Sequence, residues 1–220
     1  MKFTSLSLLL AILALSFIAA PASADTIAIT NASFQTIDPN NPLIFSSPGS
    51  GIWNNGPIPG WTITGGNAGS WQPGVPGSFT SLPDGNTVAY SNGATISQTL
   101  NASLAPNTIY ALSVDVGHRF EGLNGLPTGY TIELLAGGML LDSIGGFSGD
   151  IQMGTFQDVS FSYTTGAAPL PGNLGIELIS NGIQSQFDNV VLTATPVPEP
   201  GSLALLATGL GLMFFVFRRR

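Results

Sequence analysis

The only place where an acid, a base and a cation stand together in this chain is His118-Arg119-Phe120-Glu121. Such a cluster could serve hydrolysis, with His118 as general base. Glu121, Glu133 and Glu177 could also supply the paired carboxylates of a glycoside-cleaving site. Neither scheme comes with a frame to hold it. The sequence has no Gly-x-Ser-x-Gly elbow, no His-Glu-x-x-His helix and no phosphate loop. Glu133 and Glu177 fall on the polar faces of alternating segments, where a solvated carboxylate is the ordinary outcome. With one histidine and no cysteine in 220 residues, chemistry that needs two imidazoles, a thiolate or a Cys-based zinc site is excluded. The residues predict that the protein is not an enzyme, and that Arg119 pairs with an acid or stands on the rim of a ligand site.

Binding chemistry has better material. Sugars present apolar C–H faces and hydrogen-bonding rims, so their sites combine aromatic platforms with planar polar groups. The chain has three tryptophans, Trp53, Trp61 and Trp71, set among Asn54, Asn55, Asn67 and Gln72. Trp61 follows Pro59-Gly60 and precedes Thr-Ile-Thr, which suits a core ring. Trp53 and Trp71 lie on loop-like sequence and are the ligand candidates, with Arg119 beside them.

The elements that must position these residues read as strands. Asn107–Val116 puts Tyr110, Leu112, Val114 and Val116 on one face and Ser113 and Asp115 on the other. Tyr130–Leu135, Phe156–Thr164 and Leu174–Ile179 alternate in the same way. Shorter candidates are 26–30, 60–64, 86–91, 94–100, 139–142 and 187–193. Turn signals separate them at Asp84-Gly85, Asn92-Gly93, Gly137-Gly138, Gly145-Gly146 and Asn181-Gly182. Many short strands with regular turns predict an all-β chain, a single β-sandwich or jelly roll. The Pro-, Gly- and Asn-rich stretch 38–83 reads as a long insert.

Several short motifs occur in a telling order. Asn31-Ala-Ser-Phe34 comes early, then Pro59-Gly60-Trp61, Pro83-Asp84-Gly85 and Ile96-Ser-Gln-Thr-Leu100, with Phe187-Asp188-Asn189-Val190 closing the domain. This order resembles the galactose-binding-like jelly roll of many carbohydrate-binding modules. In that family an acid after the early Phe and an Asp on the last strand commonly hold a structural calcium. Asp188 matches the late position, whereas Gln35 stands at the early one. The resemblance implies a calcium site at Asp188 and Asn31, with Asp25 as a further oxygen donor, because calcium takes several hard oxygens.

Both ends of the chain read as addresses. Lys2, the apolar run 6–20 and Ala22-Ser-Ala24 form a signal peptide, residues 1–24, cleaved after Ala24 by signal peptidase. Pro198-Glu199-Pro200, the apolar run 202–217 and Arg218-Arg219-Arg220 follow one another at the other end. That run is at the short end of what spans a bilayer. The three parts resemble the PEP-CTERM sorting signal, residues 196–220. The resemblance implies an exosortase-type membrane enzyme as partner, a transient transmembrane anchor in the bacterial inner membrane, and release to the cell surface or extracellular matrix. Between the two lies an ectodomain, residues 25–195. All twelve acids lie in Asp25–Glu199 against a single base, Arg119, which gives that stretch a net charge of −11. So acidic a surface excludes nucleic acid as a partner.

The expectation is an exported, exosortase-sorted surface protein with a non-catalytic carbohydrate- or exopolysaccharide-binding jelly roll. A purely structural or adhesive matrix protein is the alternative, and a glycoside-acting hydrolase stands last.

Overall fold

The computed structural model describes residues 23–120 and 128–197. Residues 1–22 of the signal peptide, Ala22 among them, and residues 198–220 of the sorting segment, with Pro198, Glu199, Pro200 and Arg218–Arg220, lie outside the described residues. Among the described residues no helix is long and apolar enough to cross a membrane. Ala24–Thr195 forms one compact unit, and its buried apolar cluster draws only on residues from Phe34 to Leu192.

The unit is a β-sandwich of jelly-roll type; its described residues form eleven strands and one 3-10 turn, Ser148–Asp150. In chain order the strands are β1 Asp25–Ile27, β2 Phe45–Ser47, β3 Gly51–Trp53, β4 Thr62–Gln72, β5 Val88–Ser103 and β6 Thr108–His118. They continue with β7 Gly129–Ala136, β8 Met139–Phe147, β9 Thr155–Thr164, β10 Asn173–Ser180 and β11 Ser185–Pro196. One layer runs β2-β3-β4-β5-β10-β7-β8, and the other runs β1-β11-β6-β9. Strand β5 joins the two. Its first part pairs with β11, with Ala89 opposite Phe187. Its second part pairs with β10, with Ser97 opposite Glu177.

The alternation in the sequence is the alternation in the core. Tyr110, Leu112, Val114 and Val116 of β6 are buried, as are Tyr130, Ile132 and Leu134 of β7 and Leu174, Ile176 and Leu178 of β10. Each such side chain removed from water contributes roughly 1.5–3 kcal/mol. Period two also divides the start of β5 between two cores. Ala89 joins the main cluster, while Val88 and Tyr90 turn the other way into a smaller one with Trp71 and Phe79.

Three expectations fail for identifiable reasons. Asn92-Gly93 is no turn but lies inside β5. Gly65 of β4 and Gly93 of β5 both take left-handed φ, +81° and +68°, so the paired strands bend together. The Ser91 hydroxyl holds that bend by donating to the Ala94 carbonyl and accepting from its N–H. Gly145-Gly146 likewise lies inside β8, because a Cβ at Gly146 would collide with the ring of Tyr130 on the paired strand. The insert 38–83 contains β2, β3 and β4, and its Trp71 is a core ring of the smaller cluster.

Candidate functional site

Trp53, Trp71 and Arg119 are brought together. They line one cavity of about 290 Å³ with Ser47, Ser50, Asn55, Asn67, Tyr90, Asn92 and Gln184. The β2–β3 hairpin supplies one wall, and β3 lies on β4 so that Trp53 stands opposite Trp71 in the register. Trp53 is half-buried and stacks on Phe45, with centroids 6.2 Å apart and planes at 28°. Trp71 is only 2% exposed. Its ring packs on Phe79 at 5.9 Å, and the Arg119 guanidinium carbon sits 5.5 Å from its centroid, a cation–π arrangement. Its indole N–H donates to the Ser50 carbonyl at 2.7 Å. Trp71 is therefore the packed floor of the cavity, and Trp53 is the ring with a free surface. Trp61, as expected, is a core ring, 5.3 Å from Phe34.

A network of amides fixes the polar wall. Asn54 is fully buried. It accepts the Ser70 N–H at 2.9 Å and donates to the Asn41 carbonyl at 2.6 Å, which clamps the loop after β3 to β4. The Tyr90 hydroxyl lies 2.8 Å from the Asn54 carbonyl and 2.6 Å from Asn55 Oδ1. Burial pushes the Tyr90 phenol up to about 12, against the lowering effect of Asn67, so this hydroxyl keeps its proton at any physiological pH. Asn67 Nδ2 reaches Asn55 Oδ1 at 3.3 Å. Of the amides nominated with the tryptophans, Asn55 and Asn67 border the cavity; Asn54 stands behind it, and Gln72 bonds Thr87 Oγ1 at 3.3 Å. Tyr90, Asn92 and Gln184 were not legible as site residues. They come from β5 and from the approach to β11, and only the fold delivers them.

Of the acid–base cluster, Arg119 lines this cavity and His118 does not. The buried His118 holds Nδ1 2.8 Å from the Ile151 carbonyl, so Nδ1 carries the proton. His118 Nε2 has no hydrogen-bond partner among the described residues. Glu121 lies outside the described residues. Glu133 and Glu177 do meet, directly opposite across β7 and β10, and burial and then the Glu177 charge raise the Glu133 pKa. Glu177 borders a second cavity of about 230 Å³ that Glu133 does not line.

The residues named for calcium do not fit a calcium ion. Asp25 is exposed and pairs with Ala194, six residues along β11 from Asp188 and so about 20 Å away. The Asn31 side chain is spent on backbone groups of its own loop and of the segment before β4. Its Nδ2 donates to the Thr36 and Pro59 carbonyls, at 3.2 and 3.1 Å, and its Oδ1 accepts the Thr36 N–H. Asp188 is fully buried at a bend of β11, where Asn189 takes φ +48°. Its carboxyl accepts the N–H of Asn189 at 2.8 Å and of Asp84 at 3.3 Å. Burial, with smaller contributions from Asp84 and Asp115, pushes Asp188 up to about 8 against those two bonds. Among the described residues no three His, Asp or Glu side chains are grouped to hold a metal.

Residues 25–193 match the family model described as HpiC1 cyclase. The chain belongs to the HpiC1-like family. Residues 196–220 match the PEP-CTERM protein-sorting motif, so this HpiC1-like protein is an exosortase-sorted protein. It resembles an apo cyclase from Fischerella sp. at 29% identity and TM-score 0.63, covering 80% of this chain and 98% of that one. A Stig cyclase, FisC from Fischerella sp. TAU, solved with (3Z)-3-(1-methyl-2-pyrrolidinylidene)-3H-indole, matches at 26% identity and TM-score 0.60, over 80% and 100% of the two chains. The CBM22-1 xylan-binding domain of Paenibacillus barcinonensis Xyn10C matches at 13% identity and TM-score 0.47, over 81% and 99%. No curated protein matches the chain. The short motifs led to the jelly roll and to the sorting signal; the cyclase family was not read from them, although its match spans the residues that carry the jelly-roll motifs.

Proposed function

We propose that this HpiC1-like protein is delivered to the cell surface, where its jelly roll holds a saccharide unit of an extracellular polysaccharide in the Trp53–Arg119 cavity without transforming it. The reading rests on the lining. Trp53 offers an aromatic face, Asn55, Asn67, Asn92 and Gln184 offer planar amides, and Ser47 and Ser50 offer polar groups. Those are the two halves of sugar recognition. Among the described lining residues none carries a carboxyl, and the Tyr90 phenol is too weak an acid to hand a proton to a substrate. Calorimetric titration of the full chain with oligosaccharides cut from the host's own polysaccharide tests it. Binding that Trp53→Ala weakens at least tenfold supports the reading. Equal binding by the mutant removes it.

Family membership favours one other reading, a cyclase. One fold hosts many activities, so the site must decide. The indole compound bound by the Stig cyclase is the probe: if it quenches the Trp53 fluorescence while the oligosaccharides do not, the cavity belongs to an aromatic substrate.

For delivery, signal peptidase acts after Ala24 and an exosortase acts near Pro198-Glu199-Pro200, so that the apolar run is a temporary anchor. Mass spectrometry of the extracellular pool checks this. An intact Arg220 terminus throughout that pool contradicts it.

A further inference from the structure

A second polar cluster has its own logic. The side chain of Gln35 reaches into the loop before β5. Its Nε2 lies 2.7 Å from the Ser33 carbonyl, 3.0 Å from the Asp84 carbonyl and 2.7 Å from the Thr87 carbonyl. Its Oε1 accepts the Asn86 N–H at 3.0 Å, which fixes which end of the amide is nitrogen. The loop is shaped to this group: Gly85 has φ +60°, and a Cβ there would collide with the Gln35 amide. Asp188 belongs to the same cluster, because its carboxyl accepts the Asp84 N–H.

Three carbonyl oxygens converging on one point, with a carboxyl tied to the same loop, are the donor set of a hard cation such as calcium. Here the point is taken by nitrogen. An amide N–H₂ is a donor and brings no charge, so it satisfies carbonyl oxygens much as a cation does and leaves a neighbouring carboxyl uncompensated. That is the state of Asp188. We infer that the Gln35 amide stands where a hard cation would sit among Ser33, Asp84, Thr87 and Asp188, and that it closes this end of the sandwich without a divalent metal. A glutamate at the same position would keep one oxygen on the Asn86 N–H and turn the other, an acceptor, toward three carbonyl oxygens, an arrangement that a bound cation reconciles.

The test is thermal unfolding of the full chain in mild detergent, followed by tryptophan fluorescence, in EDTA and in millimolar calcium chloride. Wild-type Tm should be the same in both. Gln35→Glu should melt lower than wild type in EDTA and gain about 5 °C or more from calcium. Gln35→Met, which keeps the length and loses every hydrogen bond, should melt several degrees lower in both. The inference is overturned if wild-type Tm rises with calcium, if Gln35→Glu folds and gains nothing from it, or if Gln35→Met melts like wild type. Should Gln35→Glu fail to fold in either buffer, the other two proteins decide.

Discussion

Two polar clusters hang on the same pair of strands, β5 and β11, and they are finished in opposite ways. Around Gln35, both atoms of the side-chain amide meet backbone groups, and the space between the carbonyls is filled. Around Trp53 and Arg119, the amides meet one another at the back and leave a cavity in front. An amide whose two ends both meet backbone is structural cement; an amide bordering an open cavity has capacity left for a ligand. The contrast says which polar residues of this domain keep the fold and which are spent on binding, and it can be broken at several points.

Trp71 is where the two roles overlap, so it should show the largest effect. It floors the cavity, but it is also the centre of the smaller core with Phe79, Val88 and Tyr90. Trp71→Ala should lower stability by about 3–5 kcal/mol in urea unfolding and abolish ligand binding with it. A mutant that loses binding at unchanged stability would mean that the floor is a platform and not a core ring.

Asp188 tests the closed cluster. Its native pKa is pushed up to about 8 from an ordinary 3.8, chiefly by burial. In that window the native state holds a proton that the unfolded chain has lost, so stability falls as pH rises and the loss is complete above the native value. The slope is about 1.4 kcal/mol per pH unit in mid-window and flattens near the native value, which gives about 3–4 kcal/mol between pH 5 and pH 8. Asp188→Asn keeps an acceptor for the Asn189 N–H and should flatten the urea midpoint over that range. A mutant with the wild-type slope would place the titration elsewhere, with Asp115, whose pKa burial also raises, next in line.

Trp53 tests the open cluster. Half-buried and stacked on Phe45, it should cost about 1 kcal/mol of stability when truncated to alanine, while affinity for the bound saccharide falls at least tenfold. That ratio is the reverse of the one expected at Trp71. Equal stability losses at the two tryptophans would erase the distinction between floor and platform.

What the sequence disclosed follows the same division. Strands whose faces differ in polarity announce themselves, and β6, β7 and β10 bury the residues that alternation selects, because period two is a property of the backbone. Trp53, Trp71 and Arg119 could be nominated by residue type alone. Their meeting depends on register between strands far apart in sequence, and Tyr90, Asn92 and Gln184 could be found only that way. Glycine misled where it served packing instead of turning: Gly93 lets two strands bend together, and Gly146 makes room for Tyr130. Gln35 shows in the sequence only as a departure from the acid that the resemblance implies; that its amide nitrogen meets three carbonyls is visible only in the fold.

The smallest effect concerns a pair of acids that belongs to neither cluster. Glu133 and Glu177 face each other across β7 and β10, half-buried, so their repulsion is partly solvated and the Glu133 pKa is raised without the deep burial of Asp188. Like charges directly opposite in a sheet are destabilising by a few tenths of a kcal/mol. Glu133→Gln should therefore raise stability by about 0.3 kcal/mol at pH 7. The gain should vanish in acid, once Glu133 with its raised pKa has taken up a proton, and shrink in 1 M salt, which screens an accessible pair. The Asp188 slope comes from removing a carboxylate from water, which salt does not reverse, and should survive the same 1 M salt. If salt weakens both effects alike, Asp188 is reached by solvent and the cluster around Gln35 is not closed.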